Sequence, residues 1–97
     1  MFPFTKYAPP TCAEVKRALK NMGFQEYPQK GTSHVHWKKV VNGSLFKVTV
    51  DCPKAPFSKT LVSSMASQAG VSVKVFLKYC NDKKLRTDPH ISTSLKN

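Results

Sequence analysis

The sequence predicts one α+β domain in the order helix, three-stranded antiparallel sheet, helix, short C-terminal helix. Three observations carry this. Apolar residues recur at helical spacing before Gly23 and again after Ser58, the period drops to two between Phe24 and Val50, and Asn42-Gly43 interrupts the alternating stretch where a tight hairpin needs two residues that tolerate positive φ. A chain of 97 residues supplies one hydrophobic core and is too short for two.

Each element has its own local signal. Residues 1–10 contain Pro3, Pro9 and Pro10 and read as an irregular lead-in. Thr11 with Glu14 matches a capping box, Val15, Ala18, Leu19 and Met22 line one helical face, and Gly23 stops the helix. Alternation then predicts strands over 24–29, 33–39 and 45–50, the first two divided by Lys30-Gly31-Thr32 and the last two by Asn42-Gly43. Residues 51–57 carry two prolines and read as a loop. Ser58 caps the second helix, whose stripe is Leu61, Val62, Met65 and Ala69 and whose stop is Gly70. Ser72 caps a third, shorter helix to about Tyr79, with Val75, Phe76 and Tyr79 available for burial. The polar residues 83–97 read as a basic flexible tail, which leaves 11–82 as the folded domain. One sheet face packs against the helices and the other stays open.

Sixteen Lys and Arg against five acids give a net charge of +11. Such a surface suits a phosphate backbone, an anionic membrane or an acidic protein, and a solvated basic surface is the bland alternative. Cys12, Cys52 and Cys80 are odd in number and form no CxxC pair, so free thiols in a reducing compartment are expected. No secretory leader or membrane span is evident, and a cytoplasmic protein without membrane contact is the expectation.

Alternation along the second strand places Val35 and Trp37 toward the helices and His34, His36 and Lys38 on the open side, with Lys47 and Thr49 joining them from the third strand. Trp37 could stack on a base, but its inward direction favours core packing. His34 stands at the start of its strand, after a loop carrying Lys30 and Thr32. Histidine is the side chain that exchanges a proton near neutrality, and in RNA the 2′-hydroxyl is an internal nucleophile that needs only to lose its proton. Lysines beside it would stabilise the added charge on the transition state, and Lys30, Lys38, Lys39 and Lys47 are the candidates for phosphate contacts. His36 remains open as a second proton-transfer group, a phosphate contact or a plain exposed residue. The His34-x-His36 spacing also permits a metal pair with Cys52 nearby, although no third ligand is convincingly spaced. His90, in the polar tail, reads as incidental.

Several segments together resemble the HicA toxins of bacterial type II toxin–antitoxin modules. They are Asn21-Met22-Gly23-Phe24, Lys30-Gly31-Thr32-Ser33-His34, Val48-Thr49-Val50, Gln68-Ala69-Gly70-Val71-Ser72 and Phe76-Leu77. The resemblance covers about residues 11–80 and lies in the order and spacing of the pieces. One departure is Thr32, which stands between Gly31 and Ser33 where the family's glycine is often followed directly by its serine.

The resemblance implies a double-stranded-RNA-binding-domain-like fold and a growth-inhibiting toxin that cleaves messenger RNA. It also implies neutralisation by a HicB-like antitoxin and carries the family's catalytic histidine over to His34. Combined with the residues, it gives a metal-independent endoribonuclease without a cofactor, in which Lys30, Thr32, His36, Lys38 and Lys47 contact RNA. The rival readings are a non-catalytic RNA-binding module on the same sheet and a protein-interaction or DNA-binding domain.

Overall fold

The computed structural model describes residues 7–86 of the chain. Helix α1 (Cys12–Asn21) begins at Thr11, whose side chain accepts from the Glu14 N–H at 3.2 Å while the Glu14 carboxylate accepts from the Thr11 N–H at 2.9 Å. This reciprocal pair satisfies two N–H groups that the first helical turn leaves without backbone partners. The helix buries Val15, Ala18 and Leu19, and Met22 follows them into the core.

The sheet comprises β1 (Gln25–Pro28), β2 (His34–Val41) and β3 (Ser44–Asp51), antiparallel in the order β1-β2-β3. Asn42 and Gly43 take φ of 53° and 80°, the left-handed pair that a two-residue hairpin with the twist of its strands requires. Pairing therefore runs right up to the turn, from Val41 opposite Ser44 down to His34 opposite Asp51. For this reason β2 and β3 outlast the expected 33–39 and 45–50, and Asp51 belongs to the strand, not to the loop.

A 3₁₀ turn (Cys52–Lys54) leads to α2 (Lys59–Ala69) and α3 (Val73–Asn81). Ser58 and Ser72 cap these helices by accepting from the N–H groups of Leu61 and Val75. The core lies between the sheet and the three helices and contains Leu19, Trp37, Val48, Val50, Phe57, Val62 and Phe76, each at most 5% exposed. Burying a side chain of this size contributes about 1.5–3 kcal/mol.

Four expectations need correction or sharpening. Helix α3 buries Phe76 and Cys80, four residues apart on one face, and leaves Val75 outside. Lys39, named as a candidate phosphate contact, stands on the helix side with Val35 and Trp37, where its ammonium donates to the Met22 carbonyl at 2.6 Å. The cysteines are not three free thiols. The turn after β3 lays Cys52 beside the first residue of α1, Cα atoms 5.3 Å apart, and Cys12 and Cys52 form a disulfide, leaving Cys80 as the buried free thiol. The last residues of the lead-in are irregular but anchored, since the Tyr7 hydroxyl donates to the Phe57 carbonyl and the Phe57 N–H donates to the Pro10 carbonyl. Residues 1–6 and 87–97, including His90 and most of the expected tail, lie outside the described residues. Among the described residues no helix is long and apolar enough to cross a membrane.

A candidate histidine site at the end of the sheet

The β2–β3 register builds the open face from side-chain pairs. His34 faces Asp51, His36 faces Thr49, Lys38 faces Lys47 and Val40 faces Leu45, while β1 adds Tyr27 beside His36. Trp37 is 5% exposed on the opposite side, in the core position expected for it. The face is thus basic at its centre and apolar at the hairpin tip, where Val40 and Leu45 are exposed. The Lys38 ammonium lies 4.7 Å from the centre of the Tyr27 ring, close enough for a cation–π contact.

His34 is engaged at both ring nitrogens. Nε2 stands 3.4 Å from an Asp51 carboxylate oxygen and Nδ1 stands 2.8 Å from the Thr32 hydroxyl. An ionised carboxylate only accepts, so in the neutral imidazole the proton belongs on Nε2, and Nδ1 accepts from the Thr32 O–H. Thr32 suits that role because its oxygen already accepts the His34 N–H at 3.2 Å, which leaves its proton to point at the ring. Asp51 is steadied in turn by the Ser33 hydroxyl, which donates to its other oxygen at 2.8 Å. The resulting chain, hydroxyl to imidazole to carboxylate, holds the His34 ring in one orientation between two polar partners. The His34 side chain remains 51% exposed, within reach of a large substrate.

The other expected residues fall at varying distances from this centre. Thr32 touches His34 directly. His36 accepts or donates at 3.1 Å through Nδ1 with Thr49, and partial burial, with the charges of Lys47, Lys38 and His34 adding to it, pushes its pKa below the ordinary histidine value. Lys38 and Lys47 form the basic step beyond it, and Lys30 is exposed in the turn before β2. Asp51 was not among the expected residues, although its signal was present. A two-residue turn at Asn42-Gly43 dictates which residue faces His34, provided that the third strand is carried to its full length. Cys52, raised as a metal partner for the histidines, is bonded to Cys12. Among the described residues no group of three or more His, Cys, Asp or Glu is placed to hold a metal ion.

A protein-family model described as the HicA toxin of bacterial toxin–antitoxin matches residues 12–71. The chain belongs to the HicA toxin family. It is accordingly a toxin of the toxin–antitoxin kind, as the ordered segments from Asn21 to Ser72 implied. The HicA match runs from α1 through the sheet and α2, and so contains Thr32, His34 and Asp51. Helix α3 lies beyond it yet closes the same core through Phe76 and Cys80. Neither the comparison with curated proteins nor that with solved structures finds a match for this HicA chain.

Proposed function

We propose that this HicA-family toxin is an endoribonuclease that cleaves messenger RNA without a metal or other cofactor, with His34 as its proton-transfer group. The observation that carries the reading is the Thr32–His34–Asp51 chain, in which a hydroxyl already donates to Nδ1 while a carboxylate faces Nε2. A ribose 2′-hydroxyl replacing the Thr32 hydroxyl at Nδ1 would surrender its proton to the ring. Its oxygen would attack the adjacent phosphorus, and the 5′-oxygen would leave, taking a proton from the imidazolium or from water. The products are a 2′,3′-cyclic phosphate and a 5′-hydroxyl end. Asp51 stabilises the imidazolium, and Lys30, Thr32, His36, Lys38 and Lys47 grip the phosphates around the cut.

The biological setting follows from family membership and charge. A HicB-like antitoxin protein, covering His34 and offering acidic groups to a chain of net charge +11, would hold the toxin inactive, and release would stop growth through loss of messenger RNA. We assign the activity to residues 11–82 of a monomer in the cytoplasm, with 83–97 as a basic extension. In a reducing cytoplasm Cys12 and Cys52 would stand as a pair of thiols.

The test compares wild type with His34→Ala. Growth arrest on induction, cleavage of RNA in EDTA and 5′-hydroxyl ends, all confined to wild type, are the expected results. Equal RNA binding without cleavage by either protein would replace the enzyme with a binding module, and 5′-phosphate ends would rule out internal attack.

A further inference from the structure

On the α2 side, His34 and Asp51 form one wall of a cleft of about 190 Å³ that the proton-transfer chemistry does not use. Its apolar lining comes from Phe57, Leu61 and Met65, and its polar groups are Thr49, Ser64 and Gln68, with exposed Lys54 at the rim. We infer that this cleft is a nucleobase subsite, which selects the base of a nucleotide flanking the cut by hydrogen bonds from α2. The inference rests on the nuclease reading for its orientation along RNA.

The orientation of Gln68 is the main argument. The Thr49 N–H, at the outer edge of β3, donates to the side-chain Oε1 of Gln68 at 3.2 Å. A backbone N–H bonds only to the carbonyl end of the amide, so the end carrying two N–H donors is turned to the remaining direction. A donor pair oriented by that bond, in a cleft also lined by Phe57, Leu61 and Met65, suits the edge of a flat heterocycle whose faces need dry contact. Ser64, one turn before Gln68 on α2, adds a hydroxyl that both donates and accepts.

Size and charge select among occupants. A cleft of about 190 Å³ has room for one ring system. The ligand should carry phosphate as well, because Lys54 stands at the rim in a chain of net charge +11 and the cleft opens on His34. A nucleotide meets all of these demands, with its base in the cleft and its phosphate at the histidine.

The deciding variant is Gln68→Glu. It keeps an oxygen for the Thr49 N–H, and so the packing of α2 on β3, while turning the donor end into an acceptor. The folded protein is titrated with the four nucleoside 3′-monophosphates and with ribose 5-phosphate as a base-free control, and the backbone amide signals of Thr49, Leu61, Ser64 and Gln68 are followed. One base should bind roughly tenfold more tightly than the sugar phosphate, and Gln68→Glu should reverse the preference toward bases that present an amino group. Cleavage of a randomised RNA should show the same change at one position beside the cut. Equal affinity for all five probes, signal changes confined to the sheet, or an unchanged base order in Gln68→Glu overturns the inference. Base-selective binding in a protein that cleaves no RNA leaves the subsite standing and removes the nuclease reading alone.

Discussion

The Asp51 carboxylate stands 3.4 Å from Nε2 of His34 because the two residues are direct cross-strand partners at the far end of the β2–β3 hairpin. Seven residue steps of antiparallel pairing, started by one tight turn, thus deliver the acid to the imidazole. Asp51→Asn keeps the shape and removes the charge that the proposed mechanism sets against the ring. RNA cleavage should fall on the order of tenfold to a thousandfold, while binding measured in His34→Ala and in His34→Ala/Asp51→Asn stays equal. Unchanged cleavage by Asp51→Asn would mean that the ring works without the carboxylate.

Gly70 ends α2 with φ of 77°, and a Cβ placed there would lie 2.7 Å from the Phe46 ring. Gly70→Ala meets both the left-handed backbone penalty and an aromatic ring held against the core, so a loss of about 1–3 kcal/mol is expected in urea unfolding. Gly31, with φ of 74° and nothing within 4 Å of its Cβ position, is the control in which only the backbone penalty applies. The Gly31→Ala loss should be the smaller of the two.

His36 holds its proton less tightly in the folded protein than in the unfolded chain, because partial burial and then the neighbouring charges of Lys47, Lys38 and His34 disfavour the cation. The unfolded state therefore binds more protons as the pH falls below the ordinary histidine value of roughly 6.5. The stability associated with a neutral His36 is complete above that value and is lost as the pH falls toward the lower folded-state pKa. Melting temperatures recorded from pH 7.5 to 5.5 should drop less steeply for His36→Gln than for wild type.

Burial, with Glu14 adding to it and Arg17 opposing it, pushes the Cys80 thiol up to about 12. It is fully enclosed in the core, so both access and thiolate population are denied to an alkylating reagent. Iodoacetamide should leave Cys80 unmodified in the native protein and label it promptly in denaturant, and mass spectrometry of the labelled peptide reads the difference. Prompt native labelling would show that α3 opens readily from the core.

The Cys12–Cys52 bridge spans a sequence separation of 40 residues, including the whole of the sheet. In the chain-entropy account, closing a loop of that length contributes up to roughly 4 kcal/mol through the unfolded state. Reductant should lower the urea midpoint of wild type and leave that of a Cys12→Ser/Cys52→Ser variant where it was. An identical midpoint for wild type with and without reductant would show that the bridge does not stabilise the fold.

What was legible in the sequence follows rules that act over a few residues. Thr11 with Glu14, Asn42 with Gly43, Ser58, Ser72 and Gly70 each declare a helix end or a turn through their own backbone chemistry, and alternation correctly separated His34 and His36 from Trp37. The disulfide was hidden because it depends on where the turn after β3 meets α1, a tertiary event that neither cysteine's neighbours encode. Val75 was misread for a related reason: a nine-residue helix with apolar residues on several sides buries whichever face the rest of the core leaves room for. Asp51 lay between these cases. Its pairing with His34 was computable from the turn, and the prolines that follow it drew it into the loop instead.

The two rims of the sheet are finished differently. On one side β1 has only four residues, the last being Pro28, which has no N–H to offer. On the other, the side chain of Gln68 occupies the Thr49 N–H that an incoming strand would use. An incoming strand therefore meets a short border on the β1 side and, on the β3 side, an N–H that Gln68 already holds. Main-chain pairing is thus curtailed at these two places, and contacts made through side chains respond to single substitutions and to salt in a way that backbone templating does not.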